Sequence, residues 1–221
     1  MHSLNLELLY RRVGRSPLSG LPARIIALEG IDQSGKRTQA RLLANRLQRA
    51  GTEVAAISFP IYETPSGRQV RRYLKGNREY PPEALHMLYS LNRWENKELI
   101  NKLVSNSDLL IADRYTPSNL AYGFSKGLSL SWLQGLDKGL PIADLVIVLD
   151  VPIVSSFKRK SKNRDVHESN KEFLRRVRRS YKSLSGKLGW RILDATGTSR
   201  EVHSAIWQTI HRRFNLVKRR C

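Results

Sequence analysis

Residues 30–38 read GIDQSGKRT, and their types and spacing suit the binding of a phosphate group. Four residues separate Gly30 from the pair Gly35-Lys36, which is the spacing of a phosphate-binding loop. Glycine accepts positive φ angles and permits close approach, so successive backbone N–H groups can surround a phosphate. Lys36 can then reach the outer phosphates as a point charge. The segment therefore predicts a nucleotide site.

One position departs from the usual loop. The residue after Lys36 is normally Ser or Thr, whose hydroxyl holds a magnesium ion, but here it is Arg37. The threonine comes one place later, at Thr38. A degenerate, non-catalytic protein is therefore one alternative, and Arg37 alone suggests it.

The flanking sequence is what a phosphate loop requires. An apolar run, RIIALE at residues 24–29, precedes it, and helical periodicity follows from Lys36 to Ala50, with Leu42, Leu43 and Leu47 on one face. A helix that begins at Lys36 adds its positive N-terminal end to the site.

Four more β-rich apolar runs follow, and helical segments separate them. We expect these strands at residues 53–58, 108–112, 145–150 and 190–193. Continuously apolar strands that alternate with helices indicate a parallel sheet covered on both faces. The predicted fold is α/β, a doubly wound five-stranded parallel sheet. We expect one domain over residues 23–221 after a basic extension at residues 1–22.

The charge balance favours anionic ligands. The chain carries 39 Lys and Arg against 19 Asp and Glu, a formal net charge of +20. Such a field attracts polyanions, although a solvated cationic surface explains scattered charges equally well. Residues 158–191 hold thirteen of the basic and three of the acidic residues, which is half of the excess. The only cysteine, Cys221, fits a reducing compartment and a cytoplasmic location.

Further segments carry a family likeness. They are FP at residues 59–60, YSLNRWE at 89–95, ADRYTPSNLAYG at 112–123, GLPIADLVIVLD at 139–150 and LDAT at 193–196. Placed at these distances after the loop, they resemble the thymidylate kinases, which phosphorylate dTMP with ATP. The likeness covers about residues 24–212, and the order and spacing of the motifs are its specific part.

The resemblance implies a role for the loop and for the DRY segment. Asp32 matches a carboxylate that meets the sugar hydroxyl of the acceptor and helps to organise Mg²⁺, together with Asp113. Arg114 matches the clamp on the dTMP phosphate. From the residues alone, Asp32 is equally a turn-capping residue, and Asp113-Arg114 a surface ion pair. The resemblance implies ATP contacts for Gly30, Gln33, Ser34, Gly35, Lys36, Arg37, Thr38, Arg159 and Thr196.

The resemblance also implies an acceptor pocket. Tyr89 would stack on thymine, and Arg93, one helical turn later, would bond a carbonyl of the base. Asn119 matches a position that contacts the base, and Tyr122 one that crowds the sugar where a 2′-hydroxyl would lie. Phe59 would line the same pocket. By itself, Tyr89 reads equally well as a core aromatic residue.

A basic lid is implied at about residues 157–168. In the family this segment closes over ATP, and Arg164 or Lys162 would reach the transferring phosphoryl group as the catalytic cation. Glu168 would face the acceptor. The lid should supply this charge because Gln33 replaces a loop arginine found in one subgroup.

A second departure concerns the acceptor phosphate. Tyr62 stands where many family members have an arginine, so that Arg68 or Arg71 could substitute, or Tyr62 could donate through its hydroxyl. The family usually forms homodimers through helices beside the third strand, and we expect one here.

Two rival functions stay open at this point. A deoxynucleoside kinase needs a carboxylate base after the second strand, and Glu63 is the nearby candidate. A nucleic-acid-binding protein with a phosphate loop would use the basic stretch on a polynucleotide backbone, with strongly salt-dependent binding.

Overall fold

A computed structural model of the chain describes residues 24–159 and 165–214. The predicted extension at residues 1–22 and the predicted lid cations Lys162 and Arg164 lie outside the described residues. The side chains of Arg159 and Glu168 lie outside them too, although their backbones belong to helices.

The sheet has five parallel strands, as the sequence predicts, and their observed order is β2-β3-β1-β4-β5. Ile26 of the central strand lies opposite Ile111 of β3 and Leu145 of β4. Three of the predicted strands differ from the observed ones by one residue at their ends. The strands are β1 (Arg24–Glu29), β2 (Val54–Ser58), β3 (Leu109–Asp113), β4 (Leu145–Asp150) and β5 (Arg191–Asp194).

Burial follows the position of each strand in the sheet. Every residue of β1 after Arg24 is buried, and β3 and β4 are buried along all but their last residue. Helices on both faces produce this, which explains why these strands are apolar at every position. The edge strand β5 is mostly exposed, and Ile192 keeps 40% of its surface.

Prolines mark the beginning of two of the helices. Pro82 opens α3 directly after Pro81, and Pro65 opens α2 after Thr64, whose side-chain oxygen accepts from the backbone N–H of Gly67. Proline suits the first turn because its missing N–H has no helical partner there. The helices are α1 (Lys36–Arg49), α2 (Pro65–Leu74), α3 (Pro82–Glu95), α4 (Lys97–Ser105), α5 (Thr116–Phe124), α6 (Leu130–Leu136), α7 (Ile153–Arg159), α8 (Val166–Ser169), α9 (Lys171–Leu188) and α10 (Ser199–Phe214).

The topology brings three loops to one edge of the sheet. Strands β1, β2 and β3 are neighbours and parallel, so the segments after Glu29, Ser58 and Asp113 all leave at the same edge. Ligands of open α/β sheets bind at this carboxyl edge. In the part of the chain that the structure describes, no helix has the length and apolarity needed to cross a bilayer.

Candidate functional site

The loop after β1 has the backbone of a phosphate cradle. Gly30, Gln33 and Gly35 have φ angles of 134°, 61° and 97°. A Cβ atom on Gly30 would lie 2.5 Å from the carbonyl oxygen of Leu149 on β4, so only glycine fits there. The positive φ of Gly35 turns the chain into α1, where the helix N–H groups face the loop.

Lys36 lies inside this loop and is 6% exposed. Its Nζ donates to the carbonyl oxygens of Gly30 at 3.2 Å and of Ile31 at 2.8 Å. Burial lowers the pKa of Lys36 to about 8, and the charge of Arg114 acts in the same direction. The ammonium group is thus desolvated, close to the loop N–H groups, and still mostly protonated at neutral pH.

An ion pair joins the phosphate loop to the segment after β3. Nη2 of Arg114 donates to Oδ1 of Asp32, and the hydroxyl of Tyr122 donates to Oδ2 at 3.0 Å. Nη1 of Arg114 donates to the carbonyl oxygen of Gly30 at 3.2 Å. The family likeness implies that Asp32 meets the sugar hydroxyl of the acceptor and that Arg114 holds its phosphate, and the structure places these two side chains in direct contact.

The charges of this cluster are mutually stabilised. Burial raises the pKa of Asp32, but the facing charges of Arg114 and Lys36 outweigh burial and lower that pKa to about 2. Asp32 is therefore ionised at neutral pH and lies between the cations Lys36 and Arg114. Both cations are of the type that pairs with phosphate oxygens.

A buried carboxylate beneath Arg114 was missed by sequence reasoning. Glu29 is completely buried and accepts from the backbone N–H of Tyr115 at 2.8 Å and from the hydroxyls of Ser118 and Tyr181 at 2.6 and 2.8 Å. Burial raises the pKa of Glu29, while the charge of Arg114 opposes this. The available signal was an acidic residue that ends an otherwise apolar strand.

Glu29 fixes the turn that presents Arg114. Arg114 has a φ of 66°, an unusual backbone conformation for a residue other than glycine. Its own N–H bonds the carbonyl oxygen of Leu28, and the next N–H bonds Glu29. Strained conformations of this kind concentrate at ligand sites.

A deep pocket opens beside the ion pair. Its empty volume, with the open mouth included, is about 610 Å³. Predicted residues that line it are Asp32, Phe59, Tyr89, Arg93, Arg114, Asn119 and Tyr122. Tyr62 lines it as well, so that of the substitutes considered for the missing arginine only this tyrosine reaches the pocket. Burial raises the pKa of Tyr62 to about 12, which keeps its hydroxyl a donor.

Arg93 is held rigidly at the wall of this pocket. Its Nε and Nη2 bond both carboxylate oxygens of Asp137, at 2.8–3.1 Å, and both side chains are at least 94% buried. The hydroxyl of Ser90 donates to the same carboxylate at 2.7 Å. A bidentate pair of this kind fixes the direction of the guanidinium. Sequence reasoning missed Asp137, which follows a different helix, α6.

Two histidines of the pocket were also missed. His86, one turn before Tyr89 on α3, pairs with Asn119, and Nε2 of His167 lies 3.4 Å from the Tyr89 hydroxyl. His167 belongs to α8, within the predicted lid, and stacks on Phe173 with a centroid distance of 4.9 Å. His167 also meets the pocket residue Tyr122, with ring centroids 5.6 Å apart, so part of the predicted lid contacts this pocket.

Other predicted residues lie elsewhere. Arg68 is exposed and donates to the backbone carbonyl of Glu63, away from the pocket lining. Thr196 is exposed in the loop after β5, where its N–H bonds Asp194 at 2.9 Å. The side chain of Glu63, the base required by a deoxynucleoside kinase, is 77% exposed and paired with Arg71. Glu63 is not among the residues that line the pocket, so the structure gives no support to its role as a base there.

The donor set for a metal ion is small. Asp32 and Asp113 are the carboxylates predicted for this purpose, and Asp113 acts electrostatically on Lys36, which places it beside the loop. Among residues 24–159 and 165–214, no group of three or more His, Cys, Asp and Glu side chains could hold a metal. Two carboxylates are enough for Mg²⁺, because waters and substrate phosphates usually fill the rest of its coordination shell.

Comparisons with known proteins agree with this geometry. The family model described as Thymidylate kinase matches residues 28–206. A thymidylate kinase of Homo sapiens is 34% identical over 82% of this chain and 87% of its own length. A probable thymidylate kinase of Pyrococcus abyssi is 36% identical over 82% and 92%. A solved thymidylate kinase structure from Candida albicans superposes with a TM-score of 0.78 at 30% identity and covers 88% of this chain and 93% of its own.

The buried pair of Asp32 and Arg114 has a measurable effect on stability. We expect Asp32→Asn to lower the free energy of unfolding at pH 7 by about 2–4 kcal/mol. The ionised Asp32 carboxylate stabilises the fold, and without it the buried charge of Arg114 has no partner. A carboxylate whose pKa is lowered by folding stabilises the folded protein at pH values above its unfolded-state pKa of about 4. This stabilisation disappears as the pH falls toward the folded-state pKa of about 2.

Urea unfolding between pH 7 and pH 3 measures this effect. The difference between wild type and Asp32→Asn should shrink below about pH 4. The control is Glu172→Gln, which breaks an exposed pair with Arg175 and should change stability by less than about 1 kcal/mol. A difference between wild type and Asp32→Asn that stays constant across this pH range would contradict the assignment.

Proposed function

The chain belongs to the thymidylate kinase family of ATP-dependent nucleoside monophosphate kinases, and we propose that it transfers the γ-phosphoryl group of ATP to dTMP held beside Arg114. The observation that carries this proposal is the contact between Arg114 and Asp32, which joins the phosphate loop to the acceptor pocket. Donor and acceptor phosphates would meet at this contact.

The chemistry of a monophosphate acceptor explains why the site offers cations, Lys36 and Arg114, for the phosphates. The attacking atom of a nucleoside monophosphate is already a phosphate oxyanion, so it needs no general base. The difficulty is to bring two anions together, and buried cations overcome it. Lys36 and the N–H groups of the loop would hold the phosphates of ATP, while Arg114 would hold the phosphate of dTMP.

The walls of the pocket would select the nucleoside. We propose that Tyr89 and Phe59 pack on the base and that Arg93, fixed by Asp137, bonds one of its carbonyl oxygens. Tyr122 would lie beside the sugar, because its hydroxyl is held between Asp32 and Arg114. A ribose 2′-hydroxyl would have no room next to a ring fixed in this way.

The lid would complete the site around ATP. Arg159 would pack on adenine and Arg164 would supply the charge next to the transferring group, as the family likeness implies. The phosphate-loop residues Gln33, Ser34, Arg37 and Thr38, together with Thr196, would complete the ATP contacts. The contact between His167 of the lid and Tyr89 of the pocket supports a lid that responds to the acceptor.

A panel of acceptors tests the proposed reaction. We expect ATP consumption with dTMP, less with dUMP, and none with CMP, GMP, thymidine or without acceptor, because thymidine offers Arg114 no phosphate. Arg114→Ala should lower kcat/KM for dTMP by about 100-fold or more. The matched control Arg175→Ala removes an exposed arginine of α9 and should leave kcat/KM unchanged.

Two results would reject the reaction. One is turnover with thymidine and not with dTMP, which would indicate a deoxynucleoside kinase. The other is the absence of turnover at two salt concentrations together with salt-sensitive binding of DNA, which would favour a nucleic-acid-binding protein.

We also propose that Mg²⁺ is held at this site by Asp32, Asp113 and the substrate phosphates, without a ligand from residue 37. Bound there, the ion would neutralise charge on the phosphates of ATP. Arg37 and Thr38 are both exposed at the start of α1, and within the described residues the guanidinium of Arg37 has no hydrogen-bond partner. This exposure supports a tolerated replacement rather than a catalytic cation.

Arg37→Ser tests the metal proposal. Because serine restores the usual hydroxyl ligand, half-maximal activity should need less Mg²⁺, and kcat should stay within about threefold of wild type. Lys36→Ala is the reference for a lost catalytic cation and should lower kcat by about 100-fold or more. A fall of kcat in Arg37→Ser as large as in Lys36→Ala would show that Arg37 contributes catalytic charge.

We propose a homodimer that uses the outer face of α3. Met87 and Leu91 are one helical turn apart on this face and are 50% and 54% exposed, and Leu99 of α4 is 41% exposed. Adjacent large apolar side chains on one face are typical of subunit interfaces. A stable interface of this kind buries about 1,200–2,000 Å² in total.

Sedimentation velocity tests the dimer. Leu91→Glu should shift the protein toward the monomer by placing a charge in the interface. Ile192→Glu, a similar change on the opposite edge strand β5, is the control and should leave the dimer intact. A wild-type monomer at high concentration, or equal dissociation of both variants, would contradict the proposed face.

A cytoplasmic location is proposed as well. Its support is the single cysteine, Cys221, which fits a reducing compartment. Fractionation of cells that express the full chain tests this location, and enrichment in a membrane-enclosed compartment would contradict it.

A further inference from the structure

A single buried side chain of α3 holds the loop between β2 and α2. Asn92 is 1% exposed, and both ends of its amide bond Ile61. Its Oδ1 accepts from the backbone N–H of Ile61 at 2.8 Å, and its Nδ2 donates to the backbone carbonyl oxygen of Ile61 at 3.0 Å. The amide of Asn92 therefore pairs with Ile61 as a neighbouring strand would, and only one orientation of the amide satisfies both bonds.

The same side chain also bonds the start of α2. Nδ2 of Asn92 donates to the hydroxyl oxygens of Thr64 at 2.9 Å and of Ser66 at 3.0 Å. The hydroxyl of Ser66 donates in turn to Glu95 of α3, and the hydroxyl of Thr64 donates to the carbonyl oxygen of Ile61 at 2.9 Å. These bonds form one connected network, and a satisfied buried network of this kind makes the chain rigid.

Tyr62 follows the bonded carbonyl of Ile61 directly and lines the acceptor pocket together with Asp32 and Arg114. Arg71 covers its ring, with the guanidinium carbon 4.9 Å from the ring centroid. Burial raises the pKa of Tyr62 to about 12, and the charge of Arg114 lowers this pKa while that of Asp32 raises it. The hydroxyl therefore stays protonated and lies within electrostatic reach of the ion pair, beside which the acceptor phosphate is proposed to bind.

A donor placed on a loop needs support of this kind. Tyr62 belongs to neither a helix nor a strand, so the hydrogen bonds of regular structure do not fix its backbone. Binding groups act well only when they are held to within about 0.5 Å of the productive position. The bonds of Asn92 to the peptide group between Ile61 and Tyr62 supply this precision from a helix.

We propose that Asn92 is a positioning residue for the acceptor phosphate: by fixing the peptide group between Ile61 and Tyr62, it holds the Tyr62 hydroxyl in place to donate to the phosphate of dTMP. The inference rests on the proposed phosphorylation of dTMP and deepens it, because it names the residue that supports a second phosphate donor beside Arg114. Since the bonds of Asn92 need no ligand, the loop is ordered before dTMP arrives, which lowers the cost of binding.

Steady-state kinetics with dTMP and ATP test the role of Asn92. Asn92→Ala should raise KM for dTMP about tenfold and leave kcat and KM for ATP within about twofold of wild type, because a bond held equally in the ground and transition states contributes to KM alone. Asn101→Ala removes an exposed asparagine of α4 and should change none of these constants. A fall of kcat without a rise of KM for dTMP, or an equal rise of both KM values, would indicate a general structural role and overturn the proposal.

A double-mutant cycle with Tyr62→Phe shows whether Asn92 acts through Tyr62. Tyr62→Phe removes the hydroxyl alone and should raise KM for dTMP about tenfold, and an unchanged KM overturns the proposal. Once this hydroxyl is absent, its position no longer matters, so the variant with both changes should have a KM for dTMP within about twofold of Tyr62→Phe. Two independent contributions would multiply to about 100-fold, and that result overturns the proposal as well.

Hydrogen exchange tests the support of the loop in the wild-type protein, without a variant. Ile61 lies outside the helices and strands, and the structure gives its N–H to Asn92. Without nucleotide, this N–H should exchange at least about 100-fold more slowly than in an unstructured peptide. Exchange at the unprotected rate would overturn the proposal. If the N–H is protected but wild type does not phosphorylate dTMP, the proposed function fails instead, so the two failures are distinguishable.

Discussion

The contact between Asp32 and Arg114 is the interaction on which the site depends. It joins the loop after β1 to the turn after β3, and it places an ionised carboxylate among buried cations at the carboxyl edge of the sheet. Removing one partner of a buried pair leaves an uncompensated charge, which is far worse than never burying it. Both loops must therefore hold their positions before any nucleotide arrives.

The fold supplies that rigidity. The central strand β1 carries Glu29 at its end, and this buried carboxylate holds the turn that presents Arg114. On the far wall, Asp137 holds Arg93 and Asn119 holds His86 in the same manner. Arg114, Arg93 and His86 are thus each oriented by a second buried polar group. Such preorganisation lowers the cost of binding and fixes the direction of each hydrogen bond.

Local signals in the sequence predict most of the strands and helices that carry the site. The RIIALE strand and the glycines of the loop predict β1 and the start of α1 correctly, because apolar periodicity and positive φ angles act within a few residues. Local signals do not predict the buried groups that hold the site residues in place. In the sequence, Glu29 looks like the polar end of a strand. The roles of Asp137 and His86 become visible only in the fold, where α6 brings Asp137 to Arg93 of α3 and α5 brings Asn119 to His86. Those contacts join residues 33 to 44 positions apart, or more than 80 for Glu29.

Calorimetric binding of dTMP and of thymidine, to wild type and to Arg114→Ala, tests the central claim most directly. If Arg114 is the clamp on the acceptor phosphate, wild type should bind dTMP at least tenfold more tightly than thymidine, and Arg114→Ala should bind the two with nearly equal affinity. If Arg114→Ala keeps the full preference for dTMP over thymidine, the phosphate lies elsewhere and the account of this site is wrong.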